Sequence, residues 1–369
     1  MLPLFQPDLP SVAEILPYLN RMEKNKWYSN FGPLVCEFEA NIARHFQIPV
    51  SSVISASNAT SALTEILRYF SSQCDVNGSS PGYCLLPAWT FVATAQAVVA
   101  AGFRPLFCDV DAITGELTPE IAKIALSNND DILAILPVAP FGAPVDVSIW
   151  DNFSKVHSIP VVIDAAASFD ALKPGLTPAI VSLHATKSFG IGEGGLLITL
   201  DQELAREFRQ YTTFGFSDSR KAMSLGGNAK MSEMHAAVGL AQLKRWCDLK
   251  ERLLEVRSWY DDALLNIEGA CSLHNDDVGI SNTMNLYLNS TLAVDVIAGL
   301  GDAGVSSRSW WEDELHLNPI FGRKVAGPII EAGKFYEKVI GVPFYSGLSK
   351  GDVFRVCNVL GNETTRSVR

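Results

Sequence analysis

Short apolar segments alternate with helix-like segments through the first two thirds of this 369-residue chain, and this alternation limits the possible folds. The segments with the character of strands are Ser52–Ala56, Tyr83–Pro87, Pro105–Asp109, Ile132–Val138, Ile159–Asp164, Ala179–Leu183 and Leu196–Leu200. The periodic segments between them include Ser61–Phe70, Ala93–Ala101 and Pro119–Leu126. Strands that alternate with helices predict a mostly parallel sheet covered on both faces. The strands are apolar throughout, which agrees with burial on both faces, and the chain is predicted to be an α/β protein.

The length of the chain is sufficient for two domains. Helical patterns at Val12–Met22 and Val35–His45 precede the alternating part, and a longer one without proline runs from Ser232 toward Tyr260. The segments after it are shorter and mixed in character. We therefore predict a large domain over residues 1–245 and a smaller α/β domain over residues 246–369, which the long helix bridges.

Net charge and residue spacing argue against several classes of function. The chain carries 29 basic and 40 acidic residues, a net charge of −11, which disfavours nucleic-acid binding. Its six histidines are dispersed without a metal-binding spacing, so no metal site is predicted. No segment has the ~18 uninterrupted apolar residues of a membrane span, and no secretory signal is recognisable. The seven cysteines form no CxxC pair. These features predict a cytoplasmic protein that binds neither nucleic acid nor membrane.

An aspartate and a lysine follow two successive apolar strands. Asp164 ends one strand, and Lys187 lies between the next strand and a glycine-rich turn at residues 192–195. A carboxylate in apolar surroundings is costly without a partner, and a desolvated lysine loses its proton more easily. Pyridoxal 5′-phosphate (PLP) chemistry requires these two groups, an amine for a Schiff base and a carboxylate beside the pyridine nitrogen. We therefore predict PLP as the cofactor.

Two further segments are candidates for holding this cofactor. The strand that ends near Ala56 runs into residues 57–61 and then a helix, which presents free N–H groups and the positive helix end to a phosphate. After the next strand comes Pro87–Phe91, at the sheet edge where ligands of open α/β sheets bind. We predict that Trp89 stacks on the cofactor ring and that Phe91 lies in the core.

In their order along the chain, these segments are similar to the DegT/DnrJ/EryC1/StrS family of PLP-dependent nucleotide-sugar aminotransferases. The resemblance covers nearly the whole length and is carried by residues 30–33, 58–63, 87–94, 102–109, 162–166, 182–187, 192–195 and 227–233. It implies the aminotransferase fold type I, in which a large domain with a mixed, mostly parallel sheet is followed by a smaller C-terminal α/β domain.

The resemblance also implies roles in cofactor binding. Lys187 would form the Schiff base and move the proton between cofactor and substrate carbons, and Asp164 would pair with the pyridine nitrogen. Trp89 would stack on the ring. The groups implied to hold the phosphate belong to Ala59, Thr60 and Ser182.

Further positions are implied to act across a subunit boundary or on the substrate. Asn228 would reach the phosphate of the neighbouring subunit's cofactor, which implies a homodimer with shared active sites. Trp311 and His316 lie in a segment, Ser309–His316, that resembles one approaching the sugar, and they are substrate candidates. A packed aromatic corner with a surface histidine is the alternative interpretation of this segment.

Three positions depart from the family pattern. Ala59 stands where a glycine is usual, and alanine is compatible with that turn only if its φ is negative. Ala167 replaces the usual Gln or His, a neighbour of the cofactor ring. Lys230 replaces an arginine, so that a planar, bidentate donor is lost.

The function implied by the resemblance is transfer of an amino group from an amino acid, L-glutamate, to a keto group of a nucleotide-linked sugar. Such products would serve lipopolysaccharide and O-antigen, capsule or antibiotic biosynthesis. Two alternatives stay open. A PLP-dependent sugar dehydratase is one, although relatives with that activity carry histidine at the position of Lys187. A catalytically silent PLP-binding or regulatory homologue is the other, and the three departures leave room for it.

Overall fold

The structure, a computed structural model, describes residues 1–74, 82–144, 146–217, 219–273, 280–281, 283–289, 291–311 and 314–366. The helices in these residues are α1 (Val12–Asn25), α2 (Pro33–Phe46), α3 (Ala59–Cys74), α4 (Val92–Ala100), α5 (Pro119–Asn128), α6 (Val147–His157), α7 (Gln202–Tyr211), α8 (Glu233–Leu264), α9 (Ala293–Asp302), α10 (Glu331–Lys338) and α11 (Lys350–Arg366). The strands are β1 (Val53–Ala56), β2 (Tyr83–Pro87), β3 (Arg104–Cys108), β4 (Ile132–Ile135), β5 (Ile163–Asp164), β6 (Ala179–Ser182), β7 (Gly195–Ile198), β8 (Ala270–Ser272), β9 (Met284–Leu288), β10 (Arg308–Ser309) and β11 (Val339–Val342).

The first seven strands form the central sheet. Four strands lie in the order β1-β7-β6-β5 and three in the order β3-β2-β4. Parallel bridges from Ile135 to Val161 and from Val138 to Asp164 connect the two parts between β4 and β5. Only β7 runs antiparallel to its neighbours β1 and β6 among these described pairings. The predicted α/β fold with a mixed, mostly parallel sheet is thereby confirmed.

The strands of this sheet are buried on both faces, as their continuous apolar character predicts. All four residues of β1, β6 and β7 are buried, and helices cover the sheet on both sides. Two apolar clusters fill the space between sheet and helices, one containing Leu196 and the other containing Leu197. Because neighbouring residues of a strand point to opposite faces, these clusters lie on opposite sides of the sheet.

Local sequence signals determine where several helices begin. The Thr118 hydroxyl accepts a hydrogen bond from the N–H of Ile121, and Pro119 is the first residue of α5. Ser11 and Glu14 form a reciprocal capping box at α1. The Ser232 hydroxyl caps α8 by accepting from the N–H of His235. These side chains satisfy N–H groups that have no partner within the helix.

The last third of the chain forms a second sheet beside α8. Its four strands lie in the order β10-β11-β9-β8, and all their pairings are antiparallel. The expected domain boundary between residues 245 and 246 falls inside α8, and the division into two domains stays a prediction. In the part of the chain that the structure describes, no helix combines the length and the apolar character needed to cross a membrane.

Candidate active site

A cavity of about 860 Å³ lies where the carboxyl ends of four strands meet. Residues that follow β2 and β4 form one side of it, and Asp164 and Ser182, the last residues of β5 and β6, lie at its base. The N-terminus of α3 and the second sheet close the remaining sides. This is the edge at which open α/β sheets bind ligands, because loops of different strands converge there.

Asp164 is a buried carboxylate, with only 6% of its surface exposed. One oxygen, Oδ2, accepts a hydrogen bond of 2.7 Å from the Thr94 hydroxyl, and Oδ1 accepts one of 3.2 Å from the N–H of Ala166. Burial raises the pKa of Asp164, while these two hydrogen bonds and the positive charge of Lys187 oppose that increase. The main chain fixes this position, because the N–H of Asp164 donates to the Pro137 carbonyl.

Lys187 reaches the same cavity from the loop between β6 and β7. Four backbone hydrogen bonds lie within this loop, including one from the N–H of Ala185 to the Gly192 carbonyl. Gly192 has a φ of +100°, which favours glycine. Burial lowers the pKa of the Lys187 amine, and the attraction of Asp164 partly offsets this effect. The ammonium therefore loses its proton more readily than that of an exposed lysine.

The N-terminus of α3 provides the expected place for an anion. The Asn58 side chain caps this helix by accepting from the N–H of Ser61 at 2.8 Å. The N–H groups of Ala59 and Thr60, the first two residues of the helix, have no acceptor among the described residues, and both residues line the cavity. Two free donors at the positive end of a helix form a phosphate-binding arrangement. Ser182 faces the same cavity, and its hydroxyl accepts from the N–H of His184.

The structure contradicts the predicted placement of two aromatic residues. Trp89 is fully buried and does not line the cavity. Its ring stacks on Phe335 at 4.6 Å, and its indole N–H donates to the Trp310 carbonyl. Phe91, expected in the core, is 55% exposed and lines the cavity. The prediction was wrong because Trp89 packs in the core against partners distant in sequence. Of the two residues, Phe91, immediately before α4, is the one that a flat ligand in the cavity can contact.

The two substrate candidates have different environments. Trp311 lines the cavity and stacks on Phe141, with ring centroids 4.8 Å apart and planes inclined by 16°. His316 does not line the cavity, and its imidazole is buried beside Glu314, so the prediction of a substrate contact for this residue is not supported. Neither is it a surface histidine. Residues 312 and 313 of the same segment lie outside the described residues.

The remaining sequence-selected positions lie around the cavity. Asn228 is exposed and lines the cavity of its own chain, with its side-chain oxygen accepting from the Lys230 amine. That amine also lies 4.6 Å from the centre of the Phe214 ring. Ala167 lines the cavity wall, and Ala59 is helical with a negative φ, so it meets the condition stated for alanine at that turn.

Several residues that line the cavity have no role predicted from the sequence. Thr90 and Thr94 follow β2, Phe141 follows β4, and Arg308 lies on β10 of the second sheet. Thr94 lies in the first turn of α4 and Thr90 two residues before that helix, and their hydroxyls are 2.8 Å apart. Phe141 has a φ of +55°, uncommon for a side chain of this size, and no sequence signal indicates it.

This arrangement fits PLP. A carboxylate and an amine with pKa values shifted in opposite directions face one cavity, and the free N–H groups of a helix N-terminus lie beside them. An exposed aromatic ring, Phe91, is available to a flat heterocycle. Within the described ranges, no group of three or more His, Cys, Asp or Glu side chains is arranged to hold a metal ion.

Known proteins are similar to this chain over almost its whole length. The DegT/DnrJ/EryC1/StrS aminotransferase family model matches residues 11–361. Protein Rv3402c of Mycobacterium tuberculosis is 29% identical over 96% of this chain and 88% of its own. The dTDP-4-amino-4,6-dideoxy-D-glucose transaminase of Escherichia coli is 27% identical over 97% and 98% of the two chains. GDP-perosamine synthase of Caulobacter vibrioides is 26% identical over 96% and 98%.

Solved structures share the fold over almost the whole chain. A Bacillus cereus protein assigned to the PLP-dependent aminotransferases superposes with a TM-score of 0.88 at 25% identity, over 98% of this chain and 99% of that one. DesI, solved in the presence of its TDP-sugar product, superposes with a TM-score of 0.86 at 26% identity, over 99% and 93%. The predicted fold type and the predicted cofactor are thereby confirmed.

Proposed function

The chain belongs to the DegT/DnrJ/EryC1/StrS aminotransferase family, and on that basis we propose that it transfers an amino group from L-glutamate to a keto group of a nucleotide-linked sugar. The observation that carries this proposal is the convergence of Lys187, Asp164 and the N-terminus of α3 on one cavity. The names of two relatives, a dTDP-sugar transaminase and GDP-perosamine synthase, support a nucleotide-linked sugar as the acceptor.

In the proposed transamination, the Lys187 amine carries the proton. PLP, when bound, supplies an aldehyde that condenses with amines and a ring that accepts electrons from the reacting carbon. Because burial lowers the pKa of Lys187, a larger fraction of its amine is unprotonated at neutral pH and can take a proton from that carbon. Asp164, at the end of β5, would hold the ring nitrogen by its charge.

Four other groups would position the cofactor. The N–H groups of Ala59 and Thr60 and the hydroxyl of Ser182 are the donors for the phosphate, and the positive end of α3 adds to their attraction. Phe91 lies against the cavity with more than half of its surface free to contact the ring. Fixing both the phosphate and the ring keeps the reacting carbon at a constant place relative to Lys187.

The opposite wall of the cavity suits a sugar and an anion. Phe141, Trp310 and Trp311 present aromatic surface, and the rings of Phe141 and Trp311 are nearly parallel. Such surfaces pack against the apolar faces of sugar rings. Arg308 lines the same wall, is exposed, and lies 5.4 Å from the centre of the Trp310 ring. Its guanidinium is a donor for a diphosphate or a carboxylate.

A homodimer with shared sites is part of the proposal. The segment between Thr213 and Asn228, which pair as a bridge, exposes Phe214, Met223 and Leu225, and its end reaches the cavity. Exposed apolar side chains of this size beside a cavity favour cover by another protein surface. Cytoplasmic location and a role in surface-polysaccharide or O-antigen synthesis also stay predictions.

The proposal is tested by following both halves of the reaction. Purified protein loaded with PLP is mixed with L-glutamate, and the visible spectrum and the release of 2-oxoglutarate are recorded. dTDP- and GDP-linked keto-sugars are then supplied and the aminated products identified by mass spectrometry. We expect the spectrum to change with glutamate and K187A to lower the rate at least about 10³-fold. The exposed Lys155 provides a control, because K155A leaves the cavity unchanged.

Each alternative predicts a different result of the same experiment. Release of ammonia and a deoxysugar without 2-oxoglutarate would identify a dehydratase. A spectrum that no amino donor changes would identify a silent PLP-binding protein. Either result overturns the proposed transamination.

A further inference from the structure

Two buried threonines connect to the carboxylate at the base of the cavity. The Thr94 hydroxyl lies 2.7 Å from Oδ2 of Asp164, and the Thr90 hydroxyl lies 2.8 Å from the Thr94 hydroxyl. Thr90 is fully buried and Thr94 is 1% exposed, yet both line the cavity. Their backbone is fixed by the start of α4, where the N–H of Thr94 donates to the Phe91 carbonyl.

The direction of these hydrogen bonds depends on the charge of Asp164. An ionised carboxylate only accepts, so the single proton of the Thr94 hydroxyl must point to Oδ2. The oxygen of Thr94 then accepts from Thr90, whose hydroxyl becomes the first donor of the chain. A protonated Asp164 could itself donate to Thr94 and reverse both bonds. The geometry thus links two hydroxyl orientations to one ionisation state.

We propose that Thr90 and Thr94 are positioning residues that form a directed hydroxyl relay, which keeps Asp164 ionised and thereby keeps a proton on the cofactor's ring nitrogen. This inference rests on the proposed function for the identity of the cofactor's task. It assigns to Thr90 and Thr94 a role in setting the proton affinity of Asp164, which Thr94 contacts directly and Thr90 contacts through Thr94.

The need for such a relay follows from what surrounds Asp164. Burial favours the neutral acid, and the groups that oppose this are Thr94, the N–H of Ala166 and the charge of Lys187. When Lys187 is neutral, as its role requires, the two hydrogen bonds are what remains to oppose burial among the described residues. Hydrogen bonds to a charged group are stronger than those between neutral groups, and a donor that is itself an acceptor is polarised further.

The consequence concerns where one proton resides. If the carboxylate gains proton affinity, the proton shared with the ring nitrogen moves toward Asp164. The ring then carries less positive charge and accepts electrons less well. Loss of the Thr94 hydroxyl should therefore act on the ring nitrogen through Asp164, the carboxylate to which this hydroxyl donates.

The test compares T94V, T94S and T90V in protein loaded with PLP that carries ¹⁵N in the ring. We expect T94V to move the ¹⁵N shift toward the value of the unprotonated ring and to lower kcat about tenfold or more. T94S retains the hydroxyl and should restore both readouts. T90V keeps the bond to Asp164 and should cause a smaller change in the same direction. T212V, which removes another buried hydroxyl that donates to the Arg209 carbonyl, is the control for the ¹⁵N shift.

The protein without cofactor gives a second readout. In ¹³C NMR the carboxyl carbon of Asp164 should titrate at higher pH in T94V than in wild type, which requires no catalysis. Wild-type ¹⁵N and ¹³C values in T94V, or in T90V should T94V not fold, would overturn the relay. If T94V shows both shifts relative to wild type, but the wild-type protein does not transaminate, the proposed function is overturned and the relay is not.

Discussion

Burial moves the pKa of Asp164 upward and that of Lys187 downward, so each group is driven toward its neutral form. Their mutual attraction opposes both effects. A protonated ring nitrogen beside Asp164 would replace Lys187 as the positive partner of the carboxylate. The amine is then no longer held in its charged form, and its proton affinity falls. A cofactor bound beside Asp164 would thus favour the unprotonated form of Lys187, which proton transfer requires.

Substitutions of Phe91 and Trp89, the two aromatic residues after β2, should affect different properties, PLP binding and stability. F91A should weaken PLP binding about three- to tenfold, because a stacked aromatic contact is lost, and should change stability little. W89A should lower the free energy of unfolding by about 3–5 kcal/mol, because it removes a fully buried ring. Spectroscopic titration with PLP and thermal unfolding of both variants separate the two effects. Unchanged PLP affinity in F91A would contradict a stacking role for this residue.

The orientations of Trp89 and Phe91 depend on contacts that their local sequence does not contain. The sequence indicates that an aromatic pair follows a buried strand, but not which ring turns inward. Gly115 lies so close to the Trp89 ring that a Cβ at this glycine would be 2.6 Å from it, and Phe335 covers another face. These contacts come from segments far along the chain. In contrast, the placement of Asp164 and Lys187 at one cavity was predictable, because a buried carboxylate and a buried amine each need a partner.

At the scale of elements, the N-terminus of α3, the proposed phosphate site, lies in close contact with β7. A Cβ built on Gly195, the first residue of β7, would lie 2.6 Å from the carbonyl carbon of Asn58 and 2.7 Å from the N of Ala59. Both atoms belong to the backbone and cannot turn aside as a side chain could. The missing side chain at Gly195 therefore allows the helix to begin beside the strand.

G195A should consequently displace the start of α3 and weaken PLP binding by at least about tenfold, since the two N–H donors would move away from the phosphate. We expect the affinity for inorganic phosphate at this site to fall with it. Titration calorimetry with PLP measures the effect. The control is G301A in α9, where a Cβ meets nothing within 4 Å, and which should leave PLP affinity unchanged. Wild-type affinity in G195A would show that α3 tolerates the contact.

The elements themselves were largely predictable, and their ends less so. The strand predicted at Tyr83–Pro87 coincides with β2, and the helix predicted from Ser232 corresponds to α8 with Ser232 as its cap. Ile159–Asp164 was predicted as one strand, whereas regular pairing is limited to Ile163–Asp164 with a single bridge at Val161. Apolar patterns report burial, but the length of a strand depends on how far its neighbours run beside it.

At the scale of the whole molecule, the cavity is assembled from parts that are distant in sequence. Phe5, near the N-terminus, lines it, and its neighbour Leu4 accepts a hydrogen bond from the N–H of Phe344. Asp109, at the end of β3, accepts from three N–H groups at the start of α10. These contacts bind the first and last parts of the chain to the central sheet, and no local sequence pattern indicates them.

If a homodimer shares its active sites, two inactive variants should restore activity when they are combined in one dimer. K187A removes the reactive amine, and N228A removes the side chain expected to reach the neighbouring site. If Asn228 acts across the interface, a mixed dimer contains one site with both residues intact. Refolding equal amounts together should then give about a quarter of wild-type transaminase activity, because half of the dimers are mixed and each has one intact site.

The opposite arrangement gives an equally clear result. Asn228 lines the cavity of its own chain, and if it acts only there, every site in the mixed dimer lacks one residue and activity stays at the level of the separate variants.

Light scattering checks that a dimer exists. L225E should shift the equilibrium toward monomer, because a charge replaces an exposed leucine beside the cavity. L265E is the control, since Leu265 is 85% exposed at the far end of α8. Equal dimer content in both variants would place the interface elsewhere.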